Sequence, residues 1–280
     1  MIIMQTTQTT GLKRKTIDKF YTSPSIVNEC IKSISENINI QQDDLCIEPS
    51  AGNGSFIKGI KSLSKNYEFY DLEPENNEII KQDYLEYDCN VLKKKRNSKI
   101  HTIGNPPFGR QSSLAIKFIK KASEYSDSIS FILPKSFKKD SLKKYFPLKY
   151  HLIYENDLPK DSFLIDNKKH HVPCVFQIWE KKDNDRETIK KLEPLHFKFV
   201  KKTDNPDISF RRVGVYAGKI DTNIDDKSEQ SHYFIKFNNK SNKIKNIEIF
   251  KNVKFEFNNS VGPKSISKQE LLIHVNDHLH

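Results

Sequence analysis

His101-Thr102-Ile103-Gly104-Asn105-Pro106-Pro107-Phe108-Gly109 is an apolar run that passes without a break into a turn stiffened by two prolines. A short apolar run ending at glycine reads as a buried strand. The prolines restrict the backbone after Asn105, so its side-chain oxygen and the Pro106 carbonyl are held facing one point. Two converging acceptors suit one kind of chemistry. An amino group on an aromatic ring is a poor nucleophile because its lone pair is delocalised. Acceptors aimed at its hydrogens localise that pair and stabilise the positive charge that develops as the nitrogen is alkylated. Phe108 offers a flat face for the ring.

Upstream, Ile47-Glu48-Pro49-Ser50-Ala51-Gly52-Asn53-Gly54-Ser55-Phe56 places an acidic residue and two glycines where a strand passes into a helix. Glycines allow a tight turn and close approach of the backbone to a ligand at the carboxyl edge of a sheet. By itself, such a segment is equally compatible with a structural turn. About twenty residues on, Tyr67-Glu68-Phe69-Tyr70 leads to Asp71 and Leu72. A carboxylate at a strand end can accept from both hydroxyls of a ribose. Asp83, followed by Tyr84, is placed to receive the amino group of an adenine.

Around these stretches, short apolar runs alternate with amphipathic ones, the pattern of strand and helix units about a parallel sheet. Strands are expected at 45–48, 67–71, 99–104, 128–133, 150–156 and 172–180, and helices at 25–38, 54–61, 111–124 and 136–145. A polar stretch at 181–187 reads as a linker. Beyond it, 197–200, 208–213, 233–237 and 253–257 alternate apolar and polar residues, as half-buried strands do. The expected organisation is a flexible segment 1–14, an α/β domain 15–182 and a small, mainly β lobe 188–280.

The 280 residues carry a net charge of +11, which favours a polyanionic partner such as nucleic acid. From residue 183 onward there are 18 basic and 14 acidic residues, against 29 and 22 before it, so the excess is a broad face and not a tail. The run Lys93-Lys94-Lys95-Arg96 reads as a solvated loop. Cys30, Cys46, Cys89 and Cys174 lack metal or disulfide spacing and are expected as buried thiols, and His170-His171 has no companion cluster. No metal is expected. No apolar run approaches membrane length, and the start lacks a secretory pattern, so an intracellular location without membrane contact is expected.

The order of these stretches resembles that of the adenine-N6 DNA methyltransferases with an Asn-Pro-Pro-Phe or Asn-Pro-Pro-Tyr loop, in which the cofactor motifs precede the catalytic loop. Residues 48–56 are close to that family's first motif, and Asp18-Lys19-Phe20-Tyr21-Thr22-Ser23-Pro24 resembles its tenth. The resemblance covers 15–181 and implies a Rossmann-like class I methyltransferase sheet with helices on both faces. It further implies S-adenosylmethionine as cofactor and Asn105, Pro106, Pro107 and Phe108 as the catalytic loop. Carried over by position, Thr22 would hold the methionine carboxylate and Glu48 its amino group. Gly52 and Gly54 would pass beneath the cofactor, Asp71 would take the ribose and Asp83 the adenine, with Pro49, Ala51, Leu72, Tyr84 and Asn105 completing the set.

The implied reaction is methyl transfer to adenine N6 in nucleic acid, with DNA favoured. A duplex would have to flip its base onto Phe108. Phe163, or a residue of 166–171, is the candidate for clamping the other face, and Arg110, Arg211, Arg212, Lys264 and Lys268 are candidate backbone contacts. Residues 260–268 resemble tails of stand-alone methyltransferases of phage and large-virus type. Alternatives remain open at this stage: an RNA adenine methyltransferase, including cap-proximal or rRNA targets; transfer to cytosine N4 or to a guanine or glutamine amide nitrogen through the same loop; and a catalytically silent subunit that binds nucleic acid.

Overall fold

The computed structural model describes residues 20–88, 98–165, 168–188, 190–255 and 263–279. The expected segment 1–14, with Asp18 and Lys19, lies outside them, as do Cys89, the run 93–96, residues 166–167 and 260–262, and part of the expected strand 253–257.

The chain enters through a two-residue strand β1 (Tyr21–Thr22) and a helix α1 (Pro24–Asn37). Pro24 suits a first helical turn, where no N–H is needed. Ile26, Val27, Cys30 and Ile34 recur at helical spacing and form the buried face. Each such side chain contributes roughly 1.5–3 kcal/mol on full burial. There follow β2 (Leu45–Glu48), α2 (Ile57–Leu63), β3 (Asn66–Asp71), β4 (Ile80–Lys81), β5 (Ile100–Gly104), α3 (Ser113–Ala122) and β6 (Ser128–Pro134). A single helical turn α4 (Asp140–Lys143) leads to β7 (Tyr150–Asp157), a hairpin of β8 (Phe163–Ile165) and β9 (Lys168–His170), and β10 (Cys174–Lys181).

Seven of these strands form one sheet in the order β4-β3-β2-β5-β6-β10-β7. β10 runs antiparallel to both neighbours, whereas β4, β3, β2, β5 and β6 are mutually parallel. This is the Rossmann-like sheet, with one antiparallel strand, that the resemblance implies. Every residue of β2, β5 and β6 is buried because helices cover both faces. Leu45, Ile129 and Phe131 pack with Phe118 and Ile119 of α3 on one face, while Cys46, Ile132 and Phe176 pack with α1 and α2 on the other.

The six expected strands are present with shifts of a residue or two. The expected helix at 136–145 is instead a 3-10 turn (Lys135–Lys138) followed by α4. The helix expected from 111 begins at Ser113, because Gln111 and Ser112 adopt φ of 53° and 62°. The expected linker is partly bolted down. Lys181 still belongs to β10, and the Arg186 guanidinium donates to the carbonyls of Lys143, Phe146, Pro147 and Tyr150 while lying 5.4 Å from the Trp179 ring.

The second lobe is a four-stranded antiparallel sheet, β11 (Phe197–Val200), β12 (Ile208–Arg211), β13 (Ile220–Asp221) and β14 (His232–Phe237), in the order β11-β14-β12-β13. Two helices that periodicity did not suggest, α5 (Lys243–Asn252) and α6 (Lys268–Val275), contribute to its core through Phe250, Leu271, Leu272 and Val275. Residues 253–255 lie in no strand, contrary to the expectation for 253–257. The missed start of α6 had a readable signal: Ser267 and Glu270 form a reciprocal capping box. The lobes are joined by Lys139, whose Nζ meets Glu270 at 3.0 Å and the Ser265 carbonyl at 3.2 Å.

Candidate active site

The strand order reverses at β2, which has β3 on one side and β5 on the other. A crevice outside the carboxyl ends of strands forms at such a switch point. The sequence delivers Glu48 and Gly104-Asn105 to this place, one from each of the two strands. Gly104 has φ +149°, and a Cβ built there would lie 3.1 Å from Glu48 Cγ, so the bare glycine lets the carboxyl group settle against the strand end.

Glu48 is 2% exposed, and its Oε2 has no hydrogen-bond partner among the described residues. Burial, reinforced by the nearby Asp71 charge, pushes its carboxyl well above the usual carboxylate range. Asn105 presents a matching feature. Its Nδ2 donates to the Phe20 carbonyl at 3.1 Å, which leaves Oδ1 as the outward acceptor, and that oxygen is buried and unpartnered. Burying an acceptor without a donor costs about 1–3 kcal/mol, so two at one strand edge mark a place built to receive donors. The third such atom, Ser130 Oγ, sits in the middle of β6.

The glycine turn closes around this edge. Ser50 Oγ donates to the Asn105 carbonyl at 3.2 Å, tying the turn to the Asn105–Phe108 loop. Gly52 N–H donates to Asp71 Oδ2 at 2.8 Å, and Glu73 N–H to Oδ1 at 2.8 Å. Each carboxylate oxygen keeps a second lone pair for a ligand hydroxyl. The Tyr21 ring lies beside Gly52, with its hydroxyl on Glu75. Glu48, Pro49, Ala51, Gly52, Gly54, Asp71 and Asn105 thus lie at or next to one edge, with Thr22 beside Tyr21 in β1; the buried Glu48 carboxyl group suits a cationic group and the Asp71 oxygens suit a pair of hydroxyls. Phe20, Tyr21 and Ser50 belong to the same assembly. Phe20 acts through its backbone carbonyl and the Ser50 hydroxyl on that of Asn105, and a backbone carbonyl leaves no mark on a sequence.

Other expectations are revised. Asp83 accepts from Leu85 N–H at the start of a 3-10 turn and is partly exposed. The Tyr84 side chain is instead a core group, stacked 5.2 Å from Phe118 with its hydroxyl against Tyr125. Leu72 is 60% exposed. Phe163, expected to clamp a base, is fully buried: β8 pairs it with Thr22 and turns its ring into the α1 face, 6.2 Å from Phe20. His170, in the other candidate stretch, lies exposed at the end of β9, stacked 5.4 Å from Phe20. Phe108 is half-buried and touches both cores. Arg110 is exposed beside the loop.

Among the candidate backbone contacts, Arg212 and Lys268 cover aromatic rings. Arg212 lies 5.6 Å from the Tyr233 ring, and Lys268 lies 4.4 Å from that of Phe199. Cys30, Cys46 and Cys174 are buried thiols, and burial pushes the Cys46 thiol up to about 12 and the other two higher still, so none is poised as a nucleophile. Asp44, His101 and Ser128 do form a contact chain, with His101 Nε2 at 3.2 Å from Asp44 and Nδ1 at 2.8 Å from Ser128, but it is buried at the opposite, amino-terminal edge. Among the described residues there is no cluster of three or more His, Cys, Asp or Glu suited to a metal, and no helix long and apolar enough to cross a membrane.

No family model and no curated protein matches the chain. Solved structures resemble it in part. The 23S rRNA methyltransferase ErmE aligns over 60% of this chain and 71% of its own, with 11% identity and a TM-score of 0.44. A dimethyladenosine transferase from Plasmodium falciparum aligns over 58% and 63%, with 16% identity and a TM-score of 0.42. The N-methyltransferase NodS from Bradyrhizobium japonicum aligns over 57% and 96%, with 8% identity and a TM-score of 0.39.

Proposed function

We propose that this chain transfers a methyl group from S-adenosylmethionine to the N6 amino group of adenine in nucleic acid, with DNA as the favoured substrate. The observation that carries the reading is the pair of buried, unpartnered oxygens, Glu48 Oε2 and Asn105 Oδ1, at the carboxyl ends of adjacent strands. The preference for DNA is supported by the resemblance of residues 48–56 to the first motif of the DNA enzymes.

When bound, S-adenosylmethionine supplies a methyl group on a positively charged sulfur. Glu48 would hold the methionine amino group, Thr22 the carboxylate, and Asp71 the ribose hydroxyls. Asn105 Oδ1 and the Pro106 carbonyl accept the two amino hydrogens of the target and favour a tetrahedral nitrogen as the bond to carbon forms. Phe108 supports the ring. Neither acceptor is basic enough to keep a proton, so the one lost from the methylated nitrogen passes to water. Orientation and electrostatics supply the catalysis, and no cysteine is required.

The test is transfer of labelled methyl to duplex DNA, single-stranded DNA, RNA and protein, followed by nucleoside analysis. Label is expected in N6-methylated adenine, with DNA the better acceptor. An Asn105→Ala variant is expected to lose at least about a hundredfold in kcat while binding cofactor. Full activity in that variant would disprove the mechanism, and label confined to RNA would reassign the substrate. A silent subunit would bind no cofactor.

A further inference from the structure

The turn between β12 and β13 carries two exposed apolar side chains at its tip, Val215 at 81% and Tyr216 at 68%. Exposure of this kind is unremarkable in a loose loop, but this turn is pinned throughout. Gly214 N–H donates to the Lys264 carbonyl, Ala217 N–H to Gly214, Gly218 N–H to Arg211 and Lys219 N–H to Tyr216, at 2.8–3.1 Å. Gly214 and Gly218 take φ of +99° and +95°, which lets so tight a turn form without strain. An ordered apolar tip has lost its conformational entropy in advance, as a binding element requires.

Its surroundings are cationic. A cavity of about 240 Å³ behind the tip is lined by Arg211, Tyr216, Lys219, Ser231 and His232 among others. Its two carboxylates, Asp221 and Asp226, share Lys227, at 2.9 and 2.8 Å, so that with Arg211 and Lys219 the lining carries one more positive than negative charge. Arg211 and Lys219 make no ion pair among the described residues. The Arg211 Nε–H donates to the Val213 carbonyl, which fixes the guanidinium of this lining residue, and Lys219 lies over the Tyr216 ring at 6.0 Å. A flat aromatic beside cations that outnumber the neighbouring carboxylates fits a nucleotide, whose base stacks and whose phosphate needs neutralising.

The turn is also tied to the reacting edge. Val213 bridges to Ser265, whose carbonyl accepts from Lys139. Lys139 follows β6, whose residue Phe131 is paired with Gly104.

We propose that this turn is a stacking element for an unpaired nucleotide flanking the target base, with Tyr216 as the platform and Arg211 and Lys219 holding the adjoining phosphate. This rests on the reading of the substrate as nucleic acid and adds a contact outside the catalytic edge.

The experiment measures binding of a short fluorescent single-stranded DNA, and quenching of a 2-aminopurine within it, by the full chain. Tyr216→Ala is expected to weaken binding about tenfold and abolish part of the quenching, while Tyr216→Phe binds like wild type. The double variant Arg211→Ala/Lys219→Ala should reduce the dependence of affinity on salt by about one ion. Cofactor affinity and thermal melting should stay unchanged in every variant. Wild-type binding and quenching in Tyr216→Ala would overturn the stacking element even with methyl transfer to nucleic acid intact. Wild-type protein that binds no DNA or RNA would instead overturn the reading of the substrate.

Discussion

Glu48 rests against the bare backbone of Gly104: the Cβ of any larger residue there would meet Glu48 Cγ at 3.1 Å, in a backbone conformation with φ +149°. Gly104→Ala is therefore expected to cost roughly 1–3 kcal/mol in stability and to displace the carboxyl group. Affinity for S-adenosylmethionine should fall at least about tenfold, since one misplaced charged contact is worth 1.4 kcal/mol or more. Calorimetric titration at a temperature where the variant is folded checks this, and an unchanged affinity would show that Glu48 does not hold the cofactor.

Glu48 should also make cofactor binding depend on pH. Burial first, and then Asp71, raise its native pKa, whereas an ammonium group placed against it favours the ionised form. Affinity is thus expected to rise with pH through the titration of Glu48, and Glu48→Gln should bind weakly with a flat profile. The stability linkage has its own sign. A raised native pKa contributes stability that is full below the unfolded value and lost as pH rises through the native one. Glu48→Gln should therefore melt higher than wild type at about pH 8, with the gap closing toward about pH 4. Equal melting curves at both ends would contradict the burial of a strained carboxyl.

At the opposite edge, His101 links Asp44 to Ser128. Burial holds the imidazole below its usual pKa, although Asp44 pulls the other way. For Asp44, burial is outweighed by hydrogen bonds from Gln41 N–H, His101 and Lys99 N–H, which keep it below the ordinary value. Both groups contribute stability that is present above their unfolded pKa values and is lost as pH falls through the native ones. His101→Ala should cost roughly 1–3 kcal/mol in denaturant unfolding near pH 7 and flatten the acid limb of the stability curve. Methyl transfer by the folded variant should match wild type. Loss of turnover without loss of stability would place this network in the chemistry.

Phe163 distinguishes a core role from a base clamp. Phe163→Ala should destabilise by about 3–5 kcal/mol, as deletion of a buried ring does. Phe163→Leu should keep most of the stability and the full kcat. A folded Leu variant with a large loss of turnover would return the ring to the substrate. His170→Ala, on the exposed side of the same hairpin, serves as the comparison.

The amino-acid sequence alone determined the alternation of strands and helices through β10, because burial on both sides of a parallel sheet demands continuous apolar runs at those positions. It also determined the Asn105–Phe108 loop and the glycine turn after Glu48, whose chemistry is local: prolines restrict φ, glycines permit it. In the second lobe β11, β12 and β14 were legible, whereas β13 and the helices were not. α5 leaves Ile244 80% exposed and so lacks a clean apolar stripe, and the capping box of α6 was the signal passed over.

Tertiary structure decided the rest. That Glu48 and Asn105 share one edge with unpaired oxygens depends on β2 pairing with β5, residues more than fifty apart in the chain. The grip of Phe20 on Asn105 runs through a carbonyl, which every residue carries. Phe163 reads as a candidate base clamp until β1 and β8 pair and turn it inward. A sequence records which groups are present; which of them lose their water, and which are left without a partner, is settled only when distant segments close on one another.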